Sequence, residues 1–246
     1  MMNFYKKQLK KNKDLFLIYK SYSFFGSVYR FLSIVVSPLF LKFNPNLISV
    51  FGLSLAIIGF FIGIKDSENI QLAIFVFIIS FVVDYSDGLI ARYQNKSSFF
   101  GRFIDGLFDI ISIGLLHILF IKFLLLKNNT FFDLSFYFII LLIYPIQHLI
   151  LDRFSALARW CNEIDKRNKI QPYLRSIFFK KTTLFLLDIQ HLCIWMALIF
   201  GTNISSNLLE FYLTVSFLTS IFGILLYIYF AKKFFSNRSN KLDNLE

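Results

Sequence analysis

Residues 84–109 read DYSDGLIARYQNKSSFFGRFIDGLFD and interrupt an otherwise apolar region. This stretch contains four aspartates, Asp84, Asp87, Asp105 and Asp109. A charge at the centre of a membrane helix costs about 2.5–3.5 kcal/mol on insertion scales, so four carboxylates need compensation. The spacing of Asp84, Asp87 and Gly88 places them on one face of a helix, and Asp105 and Asp109 share a face of the next helix. We therefore predict an antiparallel helical hairpin whose carboxylates converge.

A divalent metal ion is the predicted partner of these carboxylates. Sites built from oxygen ligands alone suit hard cations such as Mg²⁺ or Mn²⁺. Gly88 and Gly101 have no side chain, so a ligand or the partner helix can approach the backbone closely. Arg92 adds a forked cation suited to phosphate. The alternative is that the aspartates are helix-end carboxylates that face water.

The composition is that of an integral membrane protein, because 57% of the 246 residues are hydrophobic and 20% are aromatic. A helix needs about 20 apolar residues to cross a bilayer. Hydropathy predicts an all-α membrane protein with six transmembrane helices, at residues 46–64, 70–92, 101–126, 131–150, 182–201 and 208–230.

Lysine and arginine fall almost entirely on one side of these predicted spans. Of 26 such residues, only Lys65, Lys122 and Lys127 lie on the other side. Cytoplasmic loops are enriched in Lys and Arg. We therefore expect the protein to lie in the cytoplasmic membrane with both termini in the cytoplasm and its active site facing the cytoplasm. Anionic lipid headgroups account for the net charge of +11, and we expect no nucleic-acid partner.

The chain divides into three predicted regions. Residues 1–43 form a basic cytoplasmic segment followed by an amphipathic helix that lies on the membrane surface and breaks at Pro38. Residues 44–231 form the six-helix catalytic domain. Residues 232–246 form a polar tail, and we expect the part of it after Phe235 to be unstructured.

The pattern D-x2-D-G-x2-A-R-x8-G-x3-D-x3-D is met at every fixed position between Asp84 and Asp109. This pattern is the signature of the class I CDP-alcohol phosphatidyltransferase family, and on these residues the chain is identified as a member. The resemblance implies a phosphotransferase that moves a substituted phosphoryl group from a CDP-activated donor to an alcohol and releases CMP.

The resemblance also implies a role for each aspartate and for several neighbours. Asp84 and Asp105 would bridge two Mg²⁺ or Mn²⁺ ions. Asp87 would complete one ion site and Asp109 the other, and Asp109 would also accept the alcohol proton as general base. The residues expected to bind the CDP donor are Asn46, Gly88, Arg92 and Ser98. Ser98 could equally act as the N-cap of the helix that follows it.

Polar residues of the fourth and fifth spans are candidates for an acceptor pocket. These residues are Gln147, His148, Arg153, Asp188 and His191. Asp188 and His191, spaced i and i+3, could instead satisfy each other, and Arg153 could simply flank its span. An intramembrane aspartate nevertheless suggests function, and Arg153 would suit an acceptor that carries a phosphate.

The leading hypothesis is phosphatidyl transfer from CDP-diacylglycerol to a small polar alcohol in phospholipid biosynthesis. One alternative uses a soluble CDP-alcohol as donor and a lipid as acceptor, and the motif does not separate the two. An alternative from another class is a divalent-cation transporter, which the arginine beside the aspartates disfavours. A scaffold without activity is disfavoured because all four aspartates are present. The resemblance also implies a homodimer, for which the sequence marks no interface.

Overall fold

The computed structural model describes residues 23–127, 132–164 and 177–242, and this part of the chain is helical apart from short connections. The prediction of an all-α protein is confirmed. Within the described ranges there are seven α-helices: α1 (Phe24–Val36), α2 (Pro45–Lys65), α3 (Ile70–Tyr93), α4 (Phe99–Lys127), α5 (Leu134–Ile164), α6 (Ile177–Phe200) and α7 (Thr202–Leu242). The predicted basic segment before residue 23 lies outside the described residues.

In the described part of the chain, five helices contain segments long and apolar enough to cross a membrane: Pro45–Lys65, Ile70–Tyr93, Phe100–Lys127, Leu134–Phe154 and Ser206–Lys232. These segments correspond to five of the six predicted spans, and the protein is therefore a membrane protein. The span predicted at 182–201 falls on α6, whose apolar stretch Leu187–Phe200 is shorter than a span. The total of six spans and the orientation of the termini remain predictions.

Helix α1 occupies the position of the predicted surface helix before the first span. Its N-cap is Ser23, whose Oγ accepts a hydrogen bond of 2.9 Å from the backbone N–H of Gly26. The α-helical geometry ends at Val36, because Pro38 has no N–H with which to continue the ladder. A 3-10 helix, Ser37–Phe40, then leads the chain toward α2.

Helices α2 and α3 approach each other through small residues of α2. The buried small residues on this face are Gly52, Ala56, Gly59 and Gly63. A Cβ atom added at Gly59 would lie 3.1 Å from the backbone oxygen of Ala73, so a larger residue there would push the helices apart. Ser80 Oγ donates a hydrogen bond of 2.7 Å to the carbonyl of Gly52. Close contacts between small residues and interhelical hydrogen bonds are the usual means of joining membrane helices.

Helices α6 and α7 form a tight hairpin through a single connecting residue, Gly201. Its φ of 72° lies in the left-handed region that favours glycine at the end of a helix. Gln71 of α3 holds the hairpin, because its Nε2 donates a hydrogen bond of 2.9 Å to the carbonyl of Leu198.

Helix α7 continues beyond its membrane segment as far as Leu242. The prediction that the tail after Phe235 is unstructured is therefore wrong for residues 236–242. That stretch contains neither glycine nor proline, and adding residues to an existing helix costs far less than starting one.

The main hydrophobic core contains residues of all seven α-helices. On α3 and α4 it lies away from the acidic segment. On α3 it uses residues between Ile70 and Val82, and on α4 residues between Leu116 and Leu124. The C-terminal end of α3 and the N-terminal end of α4, which carry the aspartates, are thus left beside the core and can line cavities.

Candidate active site

Three of the four aspartates form a compact cluster where α3 ends and α4 begins. Carboxylate oxygens of Asp84, Asp87 and Asp105 lie within 4.8 Å of one another. Asp87 is buried, and Asp84 and Asp105 are half-buried. Like charges this close repel one another unless a cation or protons neutralise them. The cluster is therefore suited to holding a cation.

Asp109 lies one turn beyond Asp105 on α4, at the edge of the cluster. Its carboxyl group is within hydrogen-bonding range of the carboxyl group of Asp84. Unlike the other three aspartates, it is exposed, and its exposed surface lines a large cavity between the helices. A carboxylate in that position can contact both a cation at the cluster and a molecule in the cavity.

Helix α2 contributes Ser49 to the cluster. The buried Ser49 Oγ donates a hydrogen bond to Oδ2 of Asp87 and also lies 3.3 Å from the carbonyl oxygen of Pro45. This contact holds the Asp87 carboxylate in one orientation. Hydrogen bonds of this kind to metal-binding carboxylates commonly tune the affinity of a site.

The guanidinium group of Arg92 folds back over Gly88, one turn earlier on α3. A Cβ atom added at Gly88 would lie 3.3 Å from one terminal nitrogen of Arg92 and 3.6 Å from the other. The glycine therefore leaves the space in which the guanidinium lies. Arg92 is also close enough to Asp87 and Asp105 to interact with their charges. The site thus combines clustered carboxylates with a cation suited to a phosphate group.

A smaller cavity of about 380 Å³ opens on one side of the cluster. It is bounded by the start of α2, the end of α3, the connecting loop and the start of α4. All four residues predicted to bind the CDP donor line it: Asn46, Gly88, Arg92 and Ser98. Asn46 Oδ1 lies next to the backbone of Gly101, where an added Cβ atom would approach it to 3.2 Å.

Local hydrogen bonds shape the loop that borders this smaller cavity. Gln94 Nε2 donates to the carbonyl oxygens of Leu41 and Phe43, at 2.9 and 3.0 Å, and so ties the end of α3 to the turn before α2. Ser98 Oγ accepts a hydrogen bond of 2.9 Å from Gly101 N–H. Ser98 therefore has the N-cap geometry for α4 and lines the cavity at the same time.

A larger cavity of about 610 Å³ lies on the other side of the cluster, between α1, α3, α4, α5, α6 and α7. Three of the predicted acceptor residues line it: Gln147, His148 and His191. Asp188 and Arg153 are not among the described residues that line this cavity, and Arg153 is exposed.

Asp188 and His191 form hydrogen bonds with α1 and not with each other. Asp188 accepts hydrogen bonds of 2.8 Å from the backbone N–H groups of Phe24 and Phe25, so it caps the first turn of α1. His191 Nδ1 lies 3.2 Å from the hydroxyl of Tyr29. Burial raises the pKa of the Tyr29 hydroxyl above its usual value, so this hydroxyl is neutral. Both α6 residues thus hold α1 against the larger cavity, which Tyr29 also lines.

The two cavities meet at the acidic cluster. They share four lining residues, Asp87, Gly88, Arg92 and Asp105. A molecule in the smaller cavity and a molecule in the larger cavity would therefore both reach the same carboxylates. This arrangement is suited to a reaction between two substrates at one cation site.

The model of the CDP-alcohol phosphatidyltransferase family matches residues 42–232, which is more than half of the chain. The chain belongs to this family. Members of the family act on CDP-alcohols and use divalent metal ions. The chain is also 39% identical over 77 residues to an uncharacterized protein of Aquifex aeolicus (strain VF5). That alignment covers 30% of this chain and 38% of the Aquifex protein.

The donor atoms of the acidic cluster fit the metal requirement of a CDP-alcohol phosphatidyltransferase. They are carboxylate oxygens alone, which Mg²⁺ and Mn²⁺ prefer over softer nitrogen or sulfur ligands. The cluster of Asp84, Asp87 and Asp105 is compact enough for each to contact the same ion.

The sequence alone does not mark several of the residues that line the larger cavity. Tyr29 and Arg30 belong to α1, which was interpreted only as a surface helix, and Tyr212 and Ser220 belong to α7. Hydroxyl-bearing residues in a membrane helix carry no spacing signal, so only the packing of the bundle reveals them. Ser49 had a weak signal, since it follows the cap and proline that start α2.

Proposed function

We propose that the protein transfers a phosphatidyl group from CDP-diacylglycerol to a small polar alcohol and releases CMP, as a step of phospholipid biosynthesis. The observation that carries this proposal is the position of the acidic cluster between two cavities that share Asp87, Gly88, Arg92 and Asp105. One cavity is bordered by Arg92, Asn46 and hydroxyl groups and suits the CDP portion. The other is enclosed by helices and suits the alcohol.

Asp84, Asp87, Asp105 and Asp109 would hold two divalent cations, Mg²⁺ or Mn²⁺. When bound, such ions neutralise the charge that develops on the entering and leaving oxygens. Asp84 and Asp105 would contribute carboxylate oxygens to both cations, Asp87 to one of them and Asp109 to the other. The Ser49 hydroxyl keeps Asp87 in one orientation.

The proposed reaction forms one phosphorus–oxygen bond and breaks another. The alcohol oxygen attacks the phosphorus of the phosphatidyl group, the bond from that phosphorus to the bridging oxygen breaks, and CMP leaves with the bridging oxygen. The alcohol proton passes to Asp109, whose exposure toward the larger cavity supports this role. Arg92 binds the donor phosphates, and Asn46 and Ser98 contact the cytidine portion.

The proposed orientation puts the smaller cavity on the cytoplasmic side, where a water-soluble product can leave. The connecting loop contains Lys96, and Arg102 follows at the start of α4, in agreement with the cytoplasmic enrichment of basic residues. A sixth span is proposed for α6, because its 24 residues correspond to about 36 Å of helix and a bilayer core is about 30 Å thick. Both termini then lie in the cytoplasm, and the homodimer stays a prediction.

The test is CMP release by the purified protein in lipid nanodiscs containing CDP-diacylglycerol, Mg²⁺ and a panel of small alcohols. The proposal expects release that depends on both the CDP lipid and one alcohol. The matched variants are Asp109→Asn, expected to be inactive, and Asp133→Asn, an exposed aspartate just before α5 that lines neither cavity and is expected to behave as wild type. If CMP is released from CDP-choline with diacylglycerol and none is released from CDP-diacylglycerol, the donor is the soluble CDP-alcohol and the acceptor is the lipid. Metal flux into proteoliposomes without CMP release would instead favour a transporter.

A further inference from the structure

The larger cavity has a wall of uncharged hydrogen-bonding groups that the mechanism above does not use. This polar wall is supplied by α5, α6 and α7 and consists of Tyr144, Gln147, His148, Gln190, Tyr212 and Ser220. It faces the aspartates of α3 and α4 across the cavity. Its hydroxyl, amide and imidazole groups both donate and accept hydrogen bonds.

Most groups of the polar wall have no hydrogen-bond partner within the described part of the chain. Two polar groups do have partners: His117, near the wall, pairs with Ser216 at 3.1 Å, and Gln190 of the wall donates from Nε2 to Thr219 Oγ1 at 2.8 Å. By contrast, five wall residues form no hydrogen bond with another described residue: Tyr144, Gln147, His148, Tyr212 and Ser220. Polar groups inside a protein are normally paired, so the unpaired groups of the wall are available to a molecule in the cavity. A bound molecule in the cavity is therefore the natural partner of this wall.

The charges around the larger cavity argue against an anionic occupant of the wall. Its only lining cations among the described residues are Arg30 of α1 and Arg92 of α3, and none of the lining residues on α5, α6 or α7 is Lys or Arg. Arg92 also lines the smaller cavity, where the donor phosphates are proposed to bind. Arg153, the cation predicted for an acceptor phosphate, is exposed and outside this lining. A phosphate at the wall would thus find no Lys or Arg on the helices that supply the wall, because the lining cations of this cavity lie on α1 and α3.

The number and kind of wall groups favour an occupant with several hydroxyls. An amino alcohol or a choline presents one ammonium group, which would be attracted to the carboxylates of the acidic cluster and would leave the hydroxyl and amide groups of the wall without partners. A molecule with hydroxyls spread over its surface can pair with tyrosine, serine and amide groups at once. One more hydroxyl can point at Asp109, which interacts with the nearby Tyr144.

We propose that the acceptor of this enzyme is an uncharged polyhydroxy alcohol. Its reacting hydroxyl lies at Asp109, and its other hydroxyls bind the polar wall. This inference rests on the proposed phosphatidyl transfer and names the acceptor class of that site.

The first test measures CMP release from CDP-diacylglycerol in nanodiscs with glycerol, inositol, their phosphate esters, serine and choline. We expect an uncharged polyol to support release, with kcat/KM at least tenfold above that of its phosphate ester. Preference for a phosphate ester, serine or choline would overturn the inference and leave the proposed function standing. Absence of CMP release with every acceptor would contradict the proposed function itself and the inference with it.

The second test replaces single residues of the polar wall. Gln147→Leu and Ser220→Ala are each expected to raise the KM for the polyol about tenfold or more and to leave the KM for CDP-diacylglycerol unchanged. The control is Ile146→Leu, because Ile146 is exposed on α5 next to Gln147 and outside the cavity. A rise in the KM for the CDP lipid, with the polyol KM unchanged, would overturn the inference and assign the wall to the donor.

Discussion

Replacing Asp188 by asparagine is predicted to loosen α1 from α6. The two carboxylate oxygens of Asp188 accept hydrogen bonds of 2.8 Å from the N–H groups of Phe24 and Phe25. These groups belong to the first turn of α1, where a helix has no internal acceptors. Asp188 is thus a helix cap that α6 supplies, and it holds α1 beside the larger cavity.

The cost of this Asp188 substitution follows from the bonds that asparagine cannot keep. Asparagine offers one acceptor oxygen and no charge, so one hydrogen bond and the attraction to the helix N-terminus are lost. A hydrogen bond to a charged group contributes about 1.5–3 kcal/mol, and a charge at an exposed helix end contributes about 0.3–1 kcal/mol. Because Asp188 is half-buried, we expect a total near 2 kcal/mol, about 30-fold in the equilibrium for undocking α1.

Hydrogen exchange measured by mass spectrometry on the protein in nanodiscs tests this value. Overlapping peptides that cover residues 23–30 should exchange at positions 24 and 25 about 30-fold faster in Asp188→Asn than in wild type. The control is Asp152→Asn, which removes an exposed aspartate from α5 and should leave this exchange unchanged. Exchange rates at positions 24 and 25 within twofold of wild type would refute the proposed cap.

Three further predictions concern the acidic cluster and the smaller cavity. Asp109→Asn should lower the rate of CMP release by about 10²–10⁴-fold, because it removes the general base. Ser49→Ala should weaken Mn²⁺ binding about 10–100-fold, as measured by titration, because Asp87 loses its orienting hydrogen bond. Gly101→Ala should raise the KM for the CDP donor, because the added methyl group would lie 3.2 Å from the oxygen of the neighbouring asparagine. Gly106→Ala is its control, since nothing lies within 4 Å of a Cβ atom added there.

Each of these predictions has a distinct contrary outcome. Turnover of Asp109→Asn within tenfold of wild type would remove the general base from the mechanism. Unchanged Mn²⁺ affinity in Ser49→Ala would show that this hydroxyl does not support the cluster. Equal donor KM values for Gly101→Ala and Gly106→Ala would show that the smaller cavity does not hold the CDP portion.

The helical hairpin around the acidic segment could be predicted because its signal is local. The spacing of Asp84, Asp87 and Asp105 on two consecutive helices is enough to indicate that their side chains face one another, and the structure brings them within 4.8 Å. Five spans could be predicted for the same reason, since hydropathy depends on neighbouring residues alone.

The surroundings of the acceptor cavity could not be predicted, because they depend on which helices pack together. Asp188 and His191 have the spacing of a local pair, yet their partners on α1 are more than 160 positions away in the sequence. Tyr212 and Ser220 resemble ordinary residues of an apolar helix, and only the bundle turns them toward the cavity. The helical end of α7 was missed because a polar composition says little about a helix that has already started.

The most direct test of the central claim is the electron paramagnetic resonance spectrum of the purified protein titrated with Mn²⁺. If Asp84, Asp87, Asp105 and Asp109 form one centre, two ions should bind about 3.5–4 Å apart and give a spin-coupled spectrum. The coupled signal should disappear in Asp84→Asn, since this residue is proposed to bridge the ions. A wild-type spectrum that contains only free or isolated Mn²⁺ at saturating metal would contradict the account.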